Sequence, residues 1–286
     1  MLLAAAGFSI MGGAAKLLKT SFTVGQLSFY RNIVGLIILL IGFTIKPPVQ
    51  QGGKPFWLAF RGLMGTTALY TLFYSIAHIP LGTAMTYNIT STLFIAVFSF
   101  ILFKEYHGKR VVFAVLLGFV GMLLIYKPNM HFPAHYHLTG LLSGITAAFA
   151  YLTVGKLTTI YDHRVIVLSF VLSGVLIPVL SLLLHYVFAL PADGIFVIDW
   201  KWPNGIEWLY VCVLGLAALF GQYFVTKAYA TDKAGIISAM SYANIVFSIC
   251  IGVLLGDAFP DWMSLSGIVC IIISGIIISL FKKRTG

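Results

Sequence analysis

Short clusters of turn residues cut this chain into long apolar runs of helical length, and that pattern limits the fold more than any motif does. A bilayer crossing takes about 20 mostly apolar residues. Ten such runs can be drawn: Leu2–Leu18, Val24–Ile45, Phe56–His78, Leu81–Phe103, Arg110–Tyr126, Leu138–Ile160, Val165–Ala189, Ile206–Ala228, Gly235–Leu255 and Met263–Phe281. The breaks carry turn chemistry, as in Lys46-Pro47-Pro48, Lys127-Pro128-Asn129, Pro191-Ala192-Asp193-Gly194 and Pro203-Asn204-Gly205. The runs are continuous rather than alternating, which favours helices over barrel strands. Trp200 and Trp202, in the one long loop, suit a membrane interface. Composition agrees: 60% of the 286 residues are hydrophobic and 9% charged, where a soluble domain carries about a quarter charged residues. A soluble enzyme, a nucleic-acid-binding domain and a disordered chain are excluded. The first run is read as a retained helix and not a signal peptide, because its lysines, Lys16 and Lys19, come after the apolar stretch instead of before it.

The net charge of +10 is explained by topology. With the N-terminus inside, the cytoplasmic side receives Lys46, Lys54, Arg61, Lys104, Lys109, Arg110, Lys156, Arg164, Lys227, Lys233, Lys282, Lys283 and Arg284. The outside receives Lys16, Lys19, Lys127 and Lys201, and Arg31 stays within a span. Thirteen against four puts both termini in the cytoplasm by the positive-inside rule and supports an even number of spans. Cys212, Cys250 and Cys270 lie in apolar runs and act as small hydrophobes.

Ten spans divide into two fives. The fourth run ends Leu102-Phe103-Lys104-Glu105 and the ninth Leu254-Leu255-Gly256-Asp257. Aligning the acids sets an offset of 152 (257 − 105), at which Thr92 meets Asn244 and Thr90 meets Tyr242. Five spans per repeat force the halves into opposite orientations, the plan of many secondary transporters. Expected is an all-α integral membrane protein of ten transmembrane helices in two inverted five-helix repeats, both termini cytoplasmic. With Phe29-Tyr30-Arg31-Asn32 in the second run, an Ala-rich third run, the acids Glu105 and Asp257, and Gly118, Gly121, Gly267 and Gly275 in the closing runs, the chain resembles the drug/metabolite transporter superfamily. Specifically, it resembles permeases with two EamA-type repeats. The repeats would span residues 1–127 and 138–284. It departs from that pattern at Thr92 and Asn244, where the family often has proline, and at Lys104-Glu105 and Gly256-Asp257, where it prefers Gly-Glu.

Arg31 lies about eight residues into the second run, roughly 12 Å along a helix. At that depth a guanidinium faces a bundle interior or a wet cavity. It would contact an anionic or carboxylate-bearing substrate or a gate, or else be satisfied by backbone carbonyls at a helix break. Thr66, Tyr70, Tyr74 and His78 recur every four residues and form one polar-aromatic stripe. Tyr87, Asn88, Tyr151, Gln222, Tyr242 and Asn244 add polar groups to other runs. Arg31, Tyr70, Tyr74, Tyr87, Asn88, Tyr151, Gln222, Tyr242 and Asn244 are the candidate substrate-binding set, the alternative being that such groups glue helices together. Glu105 and Asp257 would lie on opposite membrane faces, each capping the helix that follows. His131, His135 and His137 are read as solvated loop histidines. Gly140-x-x-x-Gly144 and Gly252-x-x-x-Gly256 would pack helices within the protomer, and a homodimer stays open.

The resemblance implies a secondary transporter, in the exporting direction, of a small organic metabolite such as an amino acid. It would work by alternating access in the bacterial cytoplasmic (inner) membrane. Alternatives are a nucleotide-sugar-like, vitamin or nucleoside carrier of the same fold, or a membrane-embedded enzyme. The enzyme would need clustered carboxylates or a nucleophile beside a base, and the sequence offers neither. Partners are a small-molecule substrate and the lipid bilayer; no nucleic acid, metal, cofactor or catalytic residue is expected.

Overall fold

A computed structural model describes residues 1–49, 52–103, 109–126, 133–188, 200–229 and 241–281. Among them are eleven helices: α1 (Leu2–Leu18), α2 (Val24–Ile45), α3 (Pro55–His78), α4 (Leu81–Ile89), α5 (Ser91–Phe103), α6 (Lys109–Tyr126), α7 (Ala134–Leu157), α8 (His163–Phe188), α9 (Glu207–Tyr229), α10 (Ala243–Leu254) and α11 (Trp262–Phe281). Glu105, His131 and residues 230–240 lie outside the described residues.

Local chemistry fixes the helix ends. Thr23 and Gln26 form a reciprocal capping box that starts α2, and Pro55 takes the first position of α3. Asp162 starts α8 by accepting from the Arg164 N–H at 2.9 Å. At the far end of α10, Gly256 has φ 91. The Asp257 N–H then donates to the Gly252 carbonyl at 2.8 Å and the Gly256 N–H to that of Val253 at 3.0 Å, which is a Schellman ending. Gly256 therefore ends a helix and packs nothing, contrary to the small-residue stripe expected of it.

Two more expectations change. The run Leu81–Phe103 is broken at Thr90, whose N–H is shared between the Thr86 and Tyr87 carbonyls while its hydroxyl donates to Tyr87 at 2.6 Å. This tightened turn separates α4 from α5. Helix α7 begins four residues earlier than expected and takes His135 and His137 out of the loop. His137 is buried there, its Nδ1 sharing a hydrogen bond with the Tyr87 hydroxyl at 2.9 Å.

The bundle wears its apolar side chains outward. Ile37 and Ile41 of α2, Phe113 and Leu123 of α6, and Leu180 and Leu183 of α8 are exposed, while Gln26, Ser28, Asn32, Thr86 and Ser143 are buried. Polar inside and apolar outside is what a bilayer selects. Helices α2, α7, α8 and most of α9 are each long and apolar enough to cross one. The protein is a multi-pass integral membrane protein.

The helices pack in a pattern that survives exchanging α1–α6 with α7–α11. Helix α1 lies along α9 and α7 along α3; α2 also meets α9, and α8 meets α3. Helix α1 touches α10 while α7 touches α4 and α5, and the pairs α2–α8, α4–α10 and α6–α11 close across the exchange. At the α6–α11 crossing the two glycines are reciprocal: a Cβ on Gly121 would lie 2.6 Å from the Gly267 carbonyl oxygen, and one on Gly267 2.6 Å from that of Gly121.

Candidate functional site

A cavity opens among helices from both parts of the chain. Five of the nine expected residues line it: Arg31, Asn88, Tyr151, Gln222 and Asn244. The asparagines are held alike. Asn244 accepts at Oδ1 from Ser9 of α1 (3.0 Å) and from Ser248 (2.8 Å). Asn88 donates to Ser143 of α7 at 2.6 Å, and Ser143 in turn donates to the Ala68 carbonyl at 3.0 Å. Each bridge joins an early helix to a late one, so the cavity walls cannot separate without breaking them. A neighbouring cavity shares Asn88, Tyr151 and Asn244 and adds Thr92 and Ser241.

Tyr70, Tyr74, Tyr87 and Tyr242 are not among the lining residues of the main cavity. Helical geometry explains the first two. The face of α3 that lines the cavity carries Arg61, Gly65, Ala68 and Leu72, and at 3.6 residues per turn Tyr70 lies roughly 180° around the helix from Arg61. Tyr74 sits instead in an aromatic cluster at the end of α3, 4.5 Å from the His78 ring, with Tyr136 stacked on His78 at 4.3 Å. Tyr87 is tied to His137, and Tyr242 shares a 2.6 Å hydrogen bond with Thr92. Gly275 makes room for Tyr242: a Cβ there would collide with its ring.

Arg61 corrects the sequence reading. Counted there as a cytoplasmic charge, it is 2% exposed and lines the cavity beside Arg31, itself 3% exposed. Both guanidiniums face the Phe170 ring of α8, their carbons 4.6 Å (Arg31) and 5.0 Å (Arg61) from its centroid. Arg31 also donates to Asn32 Oδ1 at 2.6 Å, and Asn32 is anchored on the Ser28 carbonyl at 2.8 Å. Glycines admit both groups. A Cβ at Gly174 would lie 2.1 Å from Asn32 Nδ2, and one at Gly65 2.3 Å from an Arg61 terminal nitrogen. Two sequence signals point to this site: a glycine four residues after Arg61, and the register of α2 and α8, in which Arg31 and Phe170 are each the eighth residue.

Magnitudes show what the site lacks. A desolvated cation–π contact stabilises by about 2 kcal/mol, whereas burying a charge costs several kcal/mol per ion even after relaxation. One ring cannot offset two guanidiniums. Among the described residues, Arg31 Nε, Arg61 Nε and Gln222 Nε2 are buried without a hydrogen-bond acceptor.

At one end of the bundle the charges are matched. Lys16 of α1 pairs with Asp257, whose other oxygen accepts from the Leu81 N–H at 2.9 Å. Asp257 thus caps α4, not the helix that follows it as expected; Asp261 does that, accepting from the Ser264 N–H at 3.2 Å. Lys19 closes the same end by donating to the Ala77 carbonyl at 2.9 Å.

Comparisons with known proteins agree with this architecture. The model of the EamA-like transporter family matches residues 1–127. An uncharacterized transporter of Helicobacter pylori (strain ATCC 700392 / 26695) is 32% identical over 98% of this chain and 93% of its own length. The pseudopaline exporter CntI of Pseudomonas aeruginosa (strain UCBPP-PA14) is 30% identical over 98% of this chain and 95% of its own. A solved crystal structure matches with a TM-score of 0.63 at 19% identity, covering 99% of both chains, which shows a shared fold. The chain belongs to the EamA-like transporters of the drug/metabolite transporter superfamily, a family of transporters and not of enzymes.

Proposed function

We propose that the protein is a ten-span secondary transporter that exports a small organic metabolite by alternating access. Residues 1–127 and 138–284 are its two inverted repeats, with α4 and α5 forming a single broken span. Both termini lie in the cytoplasm, and the membrane is the bacterial cytoplasmic membrane. The observation that carries this reading is the pair of Ser–Asn bridges, Ser9–Asn244 and Ser143–Asn88, which hold one cavity between early and late helices. A solute seated there touches both repeats, so rocking one against the other transfers it between the two sides. The exchange-invariant packing supports the repeats, and so does the near match of Thr83-Ala84-Met85-Thr86-Tyr87-Asn88 to Ser238-Ala239-Met240-Ser241-Tyr242-Ala243-Asn244. At that offset of 155 (238 − 83) Asn88 meets Ala243, one residue before Asn244. Similarity to a protein named as an exporter supports the direction.

In this reading Arg31, Asn88, Tyr151, Gln222 and Asn244 contact solute, joined by Arg61. Tyr70, Tyr74, Tyr87 and Tyr242 support the helices around them. Reconstitution into liposomes, with a panel of radiolabelled metabolites, is the test. Saturable flux that Asn244→Ala abolishes, with the variant still monodisperse, is the expected result. No flux of any metabolite by the wild type overturns the transporter, and cysteine labelling that finds residues 46–49 outside the cell overturns the orientation.

A further inference from the structure

The cavity has a chemical bias that transport alone does not require. Of the five nitrogens buried without a hydrogen-bond partner among the described residues, three, Arg31 Nε, Arg61 Nε and Gln222 Nε2, are donors on residues at most 4% exposed that line this one cavity. Two of them belong to full positive charges. The described carboxylates, Asp162, Glu207, Asp257 and Asp261, sit at helix ends, and none is among the lining residues. The site is thus rich in donors, doubly positive, and without a protein counter-charge among the described residues.

Phe170 sharpens the geometry. Both guanidiniums lie against its ring, which holds two like charges near one another. Arg31 is further aimed by Asn32, itself seated on Gly174. Guanidinium forks match the planar oxygens of carboxylates and the oxygens of phosphate, and such charge-assisted bonds are about twice as strong as neutral ones. Met11, Leu69, Leu72 and Met85 also line the cavity and offer apolar surface to a carbon skeleton.

We propose that the solute is a small organic dianion whose oxyanion oxygens are bound by Arg31 and Arg61, with Gln222 as a third donor. This rests on the transporter reading and names the substrate class of its site. A dicarboxylate and a phosphate monoester share the required chemistry. A neutral or cationic solute leaves two buried charges unmatched, and a monoanion leaves one.

The test uses the full chain near neutral pH, with succinate, its monoamide succinamate, its diamide succinamide, and glycerol 3-phosphate. Binding is read in detergent as thermal stabilisation and transport is read in liposomes. A dianion should bind at least about tenfold more tightly than succinamate, the loss expected when one charged hydrogen-bonding partner goes missing, and succinamide should not bind. Succinate ahead of glycerol 3-phosphate identifies the carboxylate class, and the reverse order the phosphate class. Arg61→Gln should reduce dianion affinity to nearly that of the monoanion, with Arg61→Lys recovering part of it. The double variant Arg31→Met/Arg61→Met should melt no lower than the empty wild type and should no longer respond to dianions. Succinamide binding as well as succinate, or an unchanged dianion-to-monoanion ratio in Arg61→Gln, overturns the proposal. Flux confined to neutral solutes overturns it while the transporter reading stands. Dianion binding without flux of any solute does the reverse.

Discussion

Two regions inside the helix bundle bury basic side chains, and they treat them in opposite ways. At one end, Lys16 meets Asp257, and that carboxylate also accepts the first N–H of α4. In the central cavity Arg31 and Arg61 both lie against one phenyl ring, with no carboxylate among the lining residues. The chain can build a matched ion pair within a membrane helix bundle, so the unmatched pair is not a failure of packing. A charge satisfied by the protein holds helices together. In the proposed function, a charge left for something else to satisfy is a binding group.

The comparison breaks most directly if the cavity is given a carboxylate of its own. Ala150 lines it from α7 and is buried. Ala150→Asp should behave as a permanent internal counter-ion, lowering flux about a hundredfold while raising or preserving the melting temperature of the empty protein. A charge-assisted hydrogen bond stabilises by about 1.5–3 kcal/mol, so a competing side chain at effectively infinite local concentration suffices for such a loss. The control is Ala150→Asn, which fills similar space without charge. Equal loss in both variants would mean that volume, not charge, occupies the site.

The converse change acts on the matched region. Asp257→Asn leaves Lys16 without its partner but retains an acceptor for the Leu81 N–H. Both side chains keep some exposure, 11% for Lys16 and 15% for Asp257, so the cost lies between that of a surface pair and a buried one, about 1–3 kcal/mol. The melting temperature should fall, and a cysteine placed beside Lys19 should label faster as this end loosens. Adding Lys16→Met to Asp257→Asn should return much of the stability. No recovery in the double variant would show that the carboxylate acts through the helix cap alone.

A smaller effect separates aim from charge. Gly174→Ala keeps both arginines but drives a methyl into the Asn32 amide, 2.1 Å away. Flux should fall about tenfold as Arg31 loses its hydrogen-bonded aim, because misplacing a binding group by about 1 Å is costly. Monodispersity and melting should change little, since the three nearest atoms that the methyl meets all belong to the Asn32 side-chain amide and not to backbone. A large drop in melting temperature would instead make Gly174 a packing residue.

Much of this contrast is legible in the amino-acid sequence. Turn clusters locate the helices to within a few residues, because lipid leaves the backbone no choice but to close its own hydrogen bonds. Arg31 stands out by depth. Arg61 does not, since a charge six residues after Pro55 reads as a helix-end charge until packing shows that α7 and α8 cover it. The tyrosine stripe on α3 misleads for a related reason. Four-residue spacing identifies a face, but only the neighbours decide whether that face meets a cavity or another helix. The break at Thr90 is invisible in the sequence because threonine is tolerated in helices; its hydroxyl, bonded back to Tyr87, signals the turn only once the geometry is known.

The smallest expected effect concerns a third charged contact, at the opposite end of α2 from the box formed by Thr23 and Gln26. Arg164 bonds Asp162 at 2.8 Å and reaches the Lys46 carbonyl at 2.7 Å, clasping the end of α2 to the start of α8. Burial alone would raise the Asp162 carboxyl, yet side-chain and backbone hydrogen bonds from Arg164 hold it below the ordinary carboxylate value. A depressed folded-state value means that its stabilisation is complete above the unfolded value and is lost as pH falls through the folded one. The contact is partly exposed, so its worth is about 0.5–1 kcal/mol. Asp162→Asn should therefore melt slightly below wild type at neutral pH, and the two curves should converge as the pH drops below the carboxylate range. Dianion binding in the cavity should be the same in both. If Asp162→Asn weakens that binding as much as Gly174→Ala does, the clasp belongs to the machinery that aims Arg31, and the contrast between charges that hold helices and charges that bind solute fails at this end of the molecule.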